Sequence, residues 1–116
     1  MIGERVTRPW GCWQVLDVGE GFKVKRITVR PQSRLAYETH EHRAEHWAVV
    51  SGTATCVVDG QVRLAGPGES VDVAVGQPHR ITNLEDEELV LIEVQTGRYT
   101  GEDDVCAVED GYGRSA

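Results

Sequence analysis

The sequence predicts one all-β domain, built as an antiparallel sandwich or barrel. Short segments rich in Val, Ile, Thr and aromatic residues follow one another along the chain, and turn-forming residues separate them. No window of about a dozen residues carries an apolar stripe at helical spacing. With 116 residues, 40% of them hydrophobic, the chain can bury one core but not two.

Turn chemistry sets the bounds of the predicted strands. A Gly-Glu-Gly turn follows the first strand and a proline follows the second, whereas Ser51-Gly52 and Asp59-Gly60 are typical of tight hairpins. Glycine and proline together end the later strands. The predicted strands cover 12–18, 22–30, 35–40, 46–51, 54–59, 61–65, 70–75, 79–83 and 88–95.

Alternation of apolar residues is imperfect in the second predicted strand. Phe22 and Val24 occupy one phase, and Ile27 and Val29 occupy the other, which predicts a bulge near residues 25 and 26. The basic residues of this strand are expected to form a solvated face unless one of them reaches into the barrel. Three acidic residues at 102–104 are expected to form a solvated turn, because they lack the spacing of a calcium loop.

Composition narrows the classes of partner. A net charge of -7 with 12 Lys and Arg argues against a nucleic-acid or anionic-membrane surface, so a small-molecule ligand is expected. Three well-separated cysteines without Cys-x-x-Cys spacing are typical of reduced thiols in a cytoplasmic protein. The sequence shows no signal peptide pattern and no apolar run of the ~20 residues that a membrane helix needs.

The histidines predict a metal site. Three of the four lie between residues 40 and 46, and His79 lies far downstream. If His40 and His42 share a β-strand, their side chains point to one face, with Cα atoms ~6.6 Å apart. Glu45 and His79 would complete a nitrogen and oxygen ligand set that suits Zn, Fe, Ni or Mn.

Two positions near this cluster have alternative assignments. The histidine run resembles the first motif of the cupins, in which six residues separate the glutamate ligand from a glycine; this spacing before Gly52 selects Glu45, and counting four residues on from His42 selects His46. Only one of them shares the phase of Trp47 along the strand, and Glu45 is preferred. By strand parity, Glu38 is expected to add a carboxylate on the inward face.

A second motif, G-x5-P-x-G-x2-H-x3-N, runs from Gly68 through Gly76 and His79 to Asn83, with Ala74 at the proline position. With the histidine run, it resembles the two motifs of the cupins. That resemblance implies a single-domain jelly-roll barrel, also called a double-stranded β-helix, with a core at about 12–96 and a C-terminal extension at 97–116. Cupins commonly pair through edge strands, so a homodimer is expected.

Longer stretches resemble the C-terminal cupin domain of type II mannose-6-phosphate isomerases, which is usually fused to a mannose-1-phosphate guanylyltransferase. We expect this chain to be that domain standing alone. The family typically carries Gln-Met-His-His-His where this chain has residues 38–42. The similar stretches are 8–11, 22–29, 42–47, 50–54, 92–97, 99–104 and 112–114.

The resemblance implies a metal-dependent isomerase that interconverts mannose 6-phosphate and fructose 6-phosphate. It favours zinc, with Fe, Ni, Mn or Co as alternatives, and it suggests Arg114 as a catalytic residue. Glu38 or His46 is the candidate base, and Lys25 or Arg26 is the candidate phosphate ligand. Two other functions stay open: an Fe(II)-dependent oxygenase and a non-catalytic module that binds a sugar or metabolite.

Overall fold

The computed structural model describes residues 1–109, and all regular secondary structure in this part of the chain is β-strand. It contains no helix that is long and apolar enough to cross a membrane. The strands are β1 (Arg5–Arg8), β2 (Gly11–Gly19), β3 (Phe22–Val29), β4 (Ser33–Arg34), β5 (Tyr37–Thr39), β6 (Arg43–Ser51), β7 (Ala54–Val58), β8 (Gln61–Ala65), β9 (Ser70–Val73), β10 (His79–Asn83), β11 (Leu89–Gly97) and β12 (Cys106–Glu109).

Two antiparallel sheets form the molecule. The first has the order β1-β2-β3-β11-β6-β9, and the second has the order β12-β5-β10-β7-β8, with β4 also paired to β10. Strand β11 lies between β3 and β6, although it is distant from both in sequence. The two sheets confirm the predicted all-β fold.

Every predicted strand has a counterpart in the structure, but the sequence did not predict β1 and β12. Residues 35–40 form part of a broken segment in which β4 and β5 are separate short strands. β1 reads Arg-Val-Thr-Arg and is mostly exposed, so it lacks the apolar pattern that marks the other strands. Because β12 pairs with β5, the predicted C-terminal extension adds a strand to the second sheet.

The bulge predicted near Lys25 and Arg26 is wrong. Inward and outward residues alternate regularly along β3, where Lys23, Lys25, Ile27 and Val29 are all buried. The register shift lies instead in the neighbouring strand β2, between residues 15 and 17. The apparent change of phase in β3 arose because two of its inward residues are lysines.

The interior changes from apolar to polar along the strands. In β11, the inward residues Leu89 and Leu91 are completely buried, and the next two inward residues are Glu93 and Gln95. In β3 the apolar end carries Ile27 and Val29, and the polar end carries the two lysines. One end of the sandwich is therefore a hydrophobic core, and the other end can hold a polar cavity.

Asn83, the last residue of the second motif, has a structural role. It is completely buried, and its Nδ2 donates to the carbonyl oxygens of Val29, Arg30 and Glu87 at 2.8–3.2 Å. Its Oδ1 accepts a hydrogen bond from the backbone N–H of Glu85. Asn83 thus joins β10 to the end of β3 and to the loop before β11.

The cysteines are free thiols. Cys56 lies in the core, where burial raises its pKa to about 11. A thiol in this environment is an inert packing residue, because the thiolate is the reactive form.

Candidate metal site

A cavity of about 270 Å³ lies between the two sheets at the polar end of the sandwich. Its walls combine tryptophan rings with charged side chains from both sheets. The charged lining consists of Arg8, Lys25, Glu38, His40, Arg43, Glu45, His79, Arg80, Glu93 and Glu102.

Strand register brings the candidate ligands together. Glu38 on β5 lies directly opposite His79 on β10, so the two side chains share one face of the second sheet. His40 follows β5 with the same parity and is 3% exposed. Glu45 lies on an inward position of β6 in the facing sheet and is 4% exposed.

The polar atoms of these four residues converge. Glu38, His40 and His79 place one candidate ligand atom each within 4.8 Å of one another. His40 Nε2 lies 3.1 Å from Glu45 Oε2 and 3.9 Å from Glu38 Oε1, and His79 Nε2 lies 3.7 Å from Glu45 Oε1. Two ligand atoms bound to one tetrahedral ion at ~2.1 Å lie about 3.4 Å apart, so these separations fit a common ion.

Both imidazoles are oriented with Nε2 toward the cavity. Nδ1 of His40 lies 2.6 Å from the carbonyl oxygen of Asp104, and Nδ1 of His79 lies 2.8 Å from that of Gln77. A carbonyl oxygen can only accept a hydrogen bond, so each Nδ1 carries the proton. In the neutral rings, each Nε2 therefore presents its lone pair to the cavity, where that of His40 faces Arg43 Nη2 at 3.2 Å. An Nδ1–H held by a carbonyl oxygen is typical of metal-binding histidines.

Electrostatics keep Glu45 ionised. Burial alone would raise its pKa, but the hydrogen bond from His40 and the nearby His79 outweigh burial and lower the pKa well below its usual value. The opposite holds for Glu93, where burial and the charge of Glu45 raise the pKa well above its usual value. The site thus favours the charged form of Glu45 and the protonated form of Glu93.

Arg43 also belongs to the site, although it was not selected from the sequence. It is 5% exposed, its Nε donates to Glu45 Oε2 at 3.0 Å, and its Nη2 lies 3.2 Å from His40 Nε2. The signal that could have identified it is parity, because Arg43 is two residues before Glu45 on the same face of β6.

The structure does not bring His42 into this cluster. β5 ends at Thr39, and residues 40–42 connect it to β6, so the expectation that His40 and His42 share a strand face is wrong. His42 is exposed, and its ring lies 6.2 Å from the ring of Tyr99 at a surface depression on the outside. The residue that lies beside His40 in the cluster is Glu38, whereas the sequence analysis expected His42 there.

Two further candidates lie on the outer face of the first sheet. His46 is half exposed and contacts Asp72 on β9 at 2.6 Å, and Arg26 contacts Gln14 at 2.6 Å. Neither lines the cavity, whereas Lys25, the alternative to Arg26, does. Arg114 lies outside the described residues.

The acidic turn is solvated only in part, because Glu102 and Asp103 are exposed but Asp104 is buried. Asp104 is 8% exposed, and its carboxylate accepts hydrogen bonds from the backbone N–H groups of Glu41 and His42. Glu102 forms ion pairs with Lys23 and Lys25. The turn therefore closes the rim of the cavity.

The donor set fits a divalent transition metal. Two imidazole nitrogens and two carboxylate groups form a mixed nitrogen and oxygen environment that suits Zn, Mn, Fe, Co or Ni. His40 Nε2 and Glu45 Oε2 lie 3.1 Å apart, so a protonated His40 donates to the carboxylate, whereas with a neutral His40 both atoms are acceptors that one cation can bridge. Arg43 adds a positive charge beside both atoms in this structure.

Comparison with known proteins gives a family match over residues 2–110, to the model described as mannose-6-phosphate isomerase C-terminal. A relative, mannose-1-phosphate guanylyltransferase ManC of Salmonella typhimurium, is 49% identical over 94% of this chain. The alignment spans 23% of that relative, so the chain covers about a quarter of its length.

Solved structures support the fold. A Klebsiella pneumoniae protein with a double-stranded β-helix domain superposes with a TM-score of 0.74 and 22% identity, over 93% of this chain and 82% of that one. Oxalate decarboxylase of Bacillus subtilis, with Mn(II) centres, gives a TM-score of 0.77 and 22% identity, over 90% of this chain and 30% of that one. The fold is therefore the cupin jelly roll.

Proposed function

Because the chain belongs to the family of mannose-6-phosphate isomerase C-terminal domains, we propose that it is a metal-dependent aldose-ketose isomerase for a sugar phosphate. Mannose 6-phosphate and fructose 6-phosphate are the first pair to test. The observation that carries the proposal is the convergence of two oriented imidazole nitrogens and two carboxylates in one cavity.

We assign Glu38, His40, Glu45 and His79 as the residues that would hold the ion. Zinc is the first metal to test because of the family, and Mn, Fe, Co and Ni suit the same donors. An ion bound there would polarise the carbonyl and hydroxyl oxygens of an open-chain sugar.

Proton transfer between adjacent carbons is assigned to Glu38. Its side chain is 30% exposed at the cavity wall, so a substrate carbon can approach it. Burial raises its pKa, which brings it closer to the operating range of a general base. His46 loses this role, because it lies on the outer face and cannot reach the cavity.

The anionic end of the substrate is assigned to Lys25. Its ammonium group lies 3.9 Å from the centre of the Trp13 ring and is almost completely buried in the cavity wall. A buried ammonium group makes strong, charge-assisted hydrogen bonds to phosphate oxygens. Arg114 stays a proposal that rests on the family resemblance.

Metal analysis followed by an activity assay tests the proposal. Protein purified without added ions is expected to contain about one transition-metal ion per chain, and restoring that ion to stripped protein is expected to restore isomerisation. Bound metal without isomerisation of mannose 6-phosphate would contradict the proposed reaction. Oxygen uptake that depends on added iron would then favour an oxygenase, and saturable sugar binding without turnover would favour a binding module.

The variant Glu38→Gln separates the two roles of this residue. Glutamine keeps an oxygen for the ion but cannot carry the proton, so metal content is expected to stay near one ion per chain while kcat falls by about 100-fold. The measurement is metal content and steady-state kinetics on the same preparation. Since the family typically has glutamine at this position, full activity of the variant would restrict Glu38 to a ligand.

A further inference from the structure

The segment that joins β11 to β12, residues 98–105, crosses the rim of the cavity, and we call it the strap. Lys23 Nζ donates to the carbonyl oxygen of Thr100 at 2.7 Å, and Arg43 Nη1 donates to that of Gly101 at 3.3 Å. At its far end, the carbonyl oxygen of Asp104 accepts a hydrogen bond from the His40 ring. The Asp104 carboxylate accepts hydrogen bonds from the backbone N–H groups of Glu41 and His42. The strap therefore contacts the first sheet and the candidate metal site together.

One carboxylate of the strap, that of Glu102, forms ion pairs with two buried lysines. Glu102 Oε2 lies 2.7 Å from Lys25 Nζ and 3.3 Å from Lys23 Nζ. Lys25 and Glu102 both line the cavity, and Lys23 contacts Glu102 without lining the cavity itself. Two ammonium groups that converge on one oxygen atom form the geometry in which a phosphate oxygen is bound.

Two ammonium groups meet one ion-paired carboxylate at this point. Lys25 is 3% exposed and Lys23 is 9% exposed, and in residues 1–109 Glu102 is the carboxylate that forms an ion pair with either of them. Glu93 on β11 lies opposite Lys25 in register and interacts with it electrostatically, but among residues 1–109 it forms no ion pair with either lysine. Two ammonium groups thus share one ion-paired carboxylate oxygen in a largely buried place, and this arrangement favours a ligand with more negative charge than a carboxylate.

Glu102 can also move away from the two lysines. Its side chain is 44% exposed, in contrast to the two lysines that it contacts, so it can rotate into water without crossing the core. A phosphate monoester carries nearly two negative charges at neutral pH and offers three acceptor oxygens. It can therefore contact both ammonium groups more strongly than Glu102 does.

We infer that Lys23 and Lys25 form an anion subsite for the phosphate group of a sugar phosphate, and that Glu102 occupies this subsite as an internal competitor until a phosphate displaces it. The inference rests on the proposed function for the identity of the anion as a phosphate monoester. A neutral sugar cannot displace Glu102, so the strap selects phosphorylated substrates.

Phosphate titration of metal-free protein tests the inference. Inorganic phosphate is added to EDTA-treated protein, and binding is followed by calorimetry and by tryptophan fluorescence, because Trp13 contacts Lys25. Glu102→Gln is expected to bind phosphate about tenfold tighter than the natural chain, because the competitor has lost its charge. Lys25→Gln is expected to abolish binding in both backgrounds.

Two control variants match these changes. Asp103→Asn removes the same charge from the next residue, whose carboxylate contacts Tyr99 rather than the lysines, and it is expected to leave the Kd within about twofold. Arg26→Gln removes a cation from the outer face of the same strand and is also expected to leave the Kd unchanged. Unchanged or weaker binding by Glu102→Gln, or retained binding by Lys25→Gln, would overturn the inference.

Hydrogen exchange on the natural chain gives a readout that needs no variant. Phosphate is expected to speed amide exchange around Gly101 and Glu102, because the strap loses its ion pairs when the anion takes their place. Slower exchange there would overturn the displacement. Since these measurements use metal-free protein and no turnover, a failed isomerase assay with normal phosphate binding would reject the proposed function and leave the anion subsite standing.

Discussion

Replacing His40 by asparagine is expected to remove the metal ion and abolish isomerisation. His40 Nε2 lies within 3.1–3.9 Å of both carboxylates of the candidate site, and the shorter asparagine side chain cannot reach the same point. Metal content is expected to fall from about one ion per chain to below about 0.1, and kcat/KM to fall by at least about 1000-fold. Elemental analysis and a coupled assay for fructose 6-phosphate measure the two quantities.

His46→Asn and His42→Asn are the matched controls. Both histidines are exposed or half exposed, and neither lines the cavity, so both variants are expected to keep the metal ion. The His42 variant also tests the structure against the sequence motif, because the motif assigns His42 as a metal ligand and the structure does not. Loss of metal in His42→Asn with normal metal in His40→Asn would reject the site described above.

Metal affinity is expected to depend on pH through His40. Burial alone would lower the pKa of His40, but the hydrogen bond and charge of Glu45 outweigh burial and raise it above the usual value. A protonated imidazole cannot bind a metal ion, so affinity falls as the pH drops through that raised pKa.

The fold could be predicted because strand signals are local. Turns such as Asp59-Gly60 mark the ends of the strands that border the core, and alternating apolar residues mark the strands themselves. An antiparallel sheet agrees with both signals. β1 was missed because it is mostly exposed, so no alternating burial pattern identifies it. The pairing of β12 depends on β5, which is remote in sequence, whereas β1 forms a hairpin with the adjacent β2.

The candidate site was predicted only in part, because each ligand depends on strand parity. His79 and Glu38 could be selected, since each lies on a strand whose register fixes the inward face. His42 could not be rejected, because nothing in the sequence shows that β5 ends at Thr39. The inward lysines of β3 were expected to be solvated, because their ion-pair partner Glu102 lies nearly 80 residues away in the sequence.

Replacing Arg43 by glutamine is expected to destabilise the metal-free protein strongly. Arg43 is the guanidinium group that contacts Glu45, a buried carboxylate whose low pKa keeps it ionised despite burial. Glutamine cannot supply a charge, and a buried ion left without its partner costs about 3–5 kcal/mol. Urea unfolding in EDTA measures this loss.

The same variant is expected to lose much less stability once metal is bound. A divalent ion on Glu45 supplies the positive charge that Arg43 provides in the metal-free chain, so the difference from the natural protein is expected to shrink to about 1–2 kcal/mol. Arg26→Gln on the outer face is the control and is expected to change stability by about 0.5 kcal/mol or less in either state. An equal loss with and without metal would mean that Arg43 acts by holding Gly101 of the strap rather than by balancing the charge of Glu45.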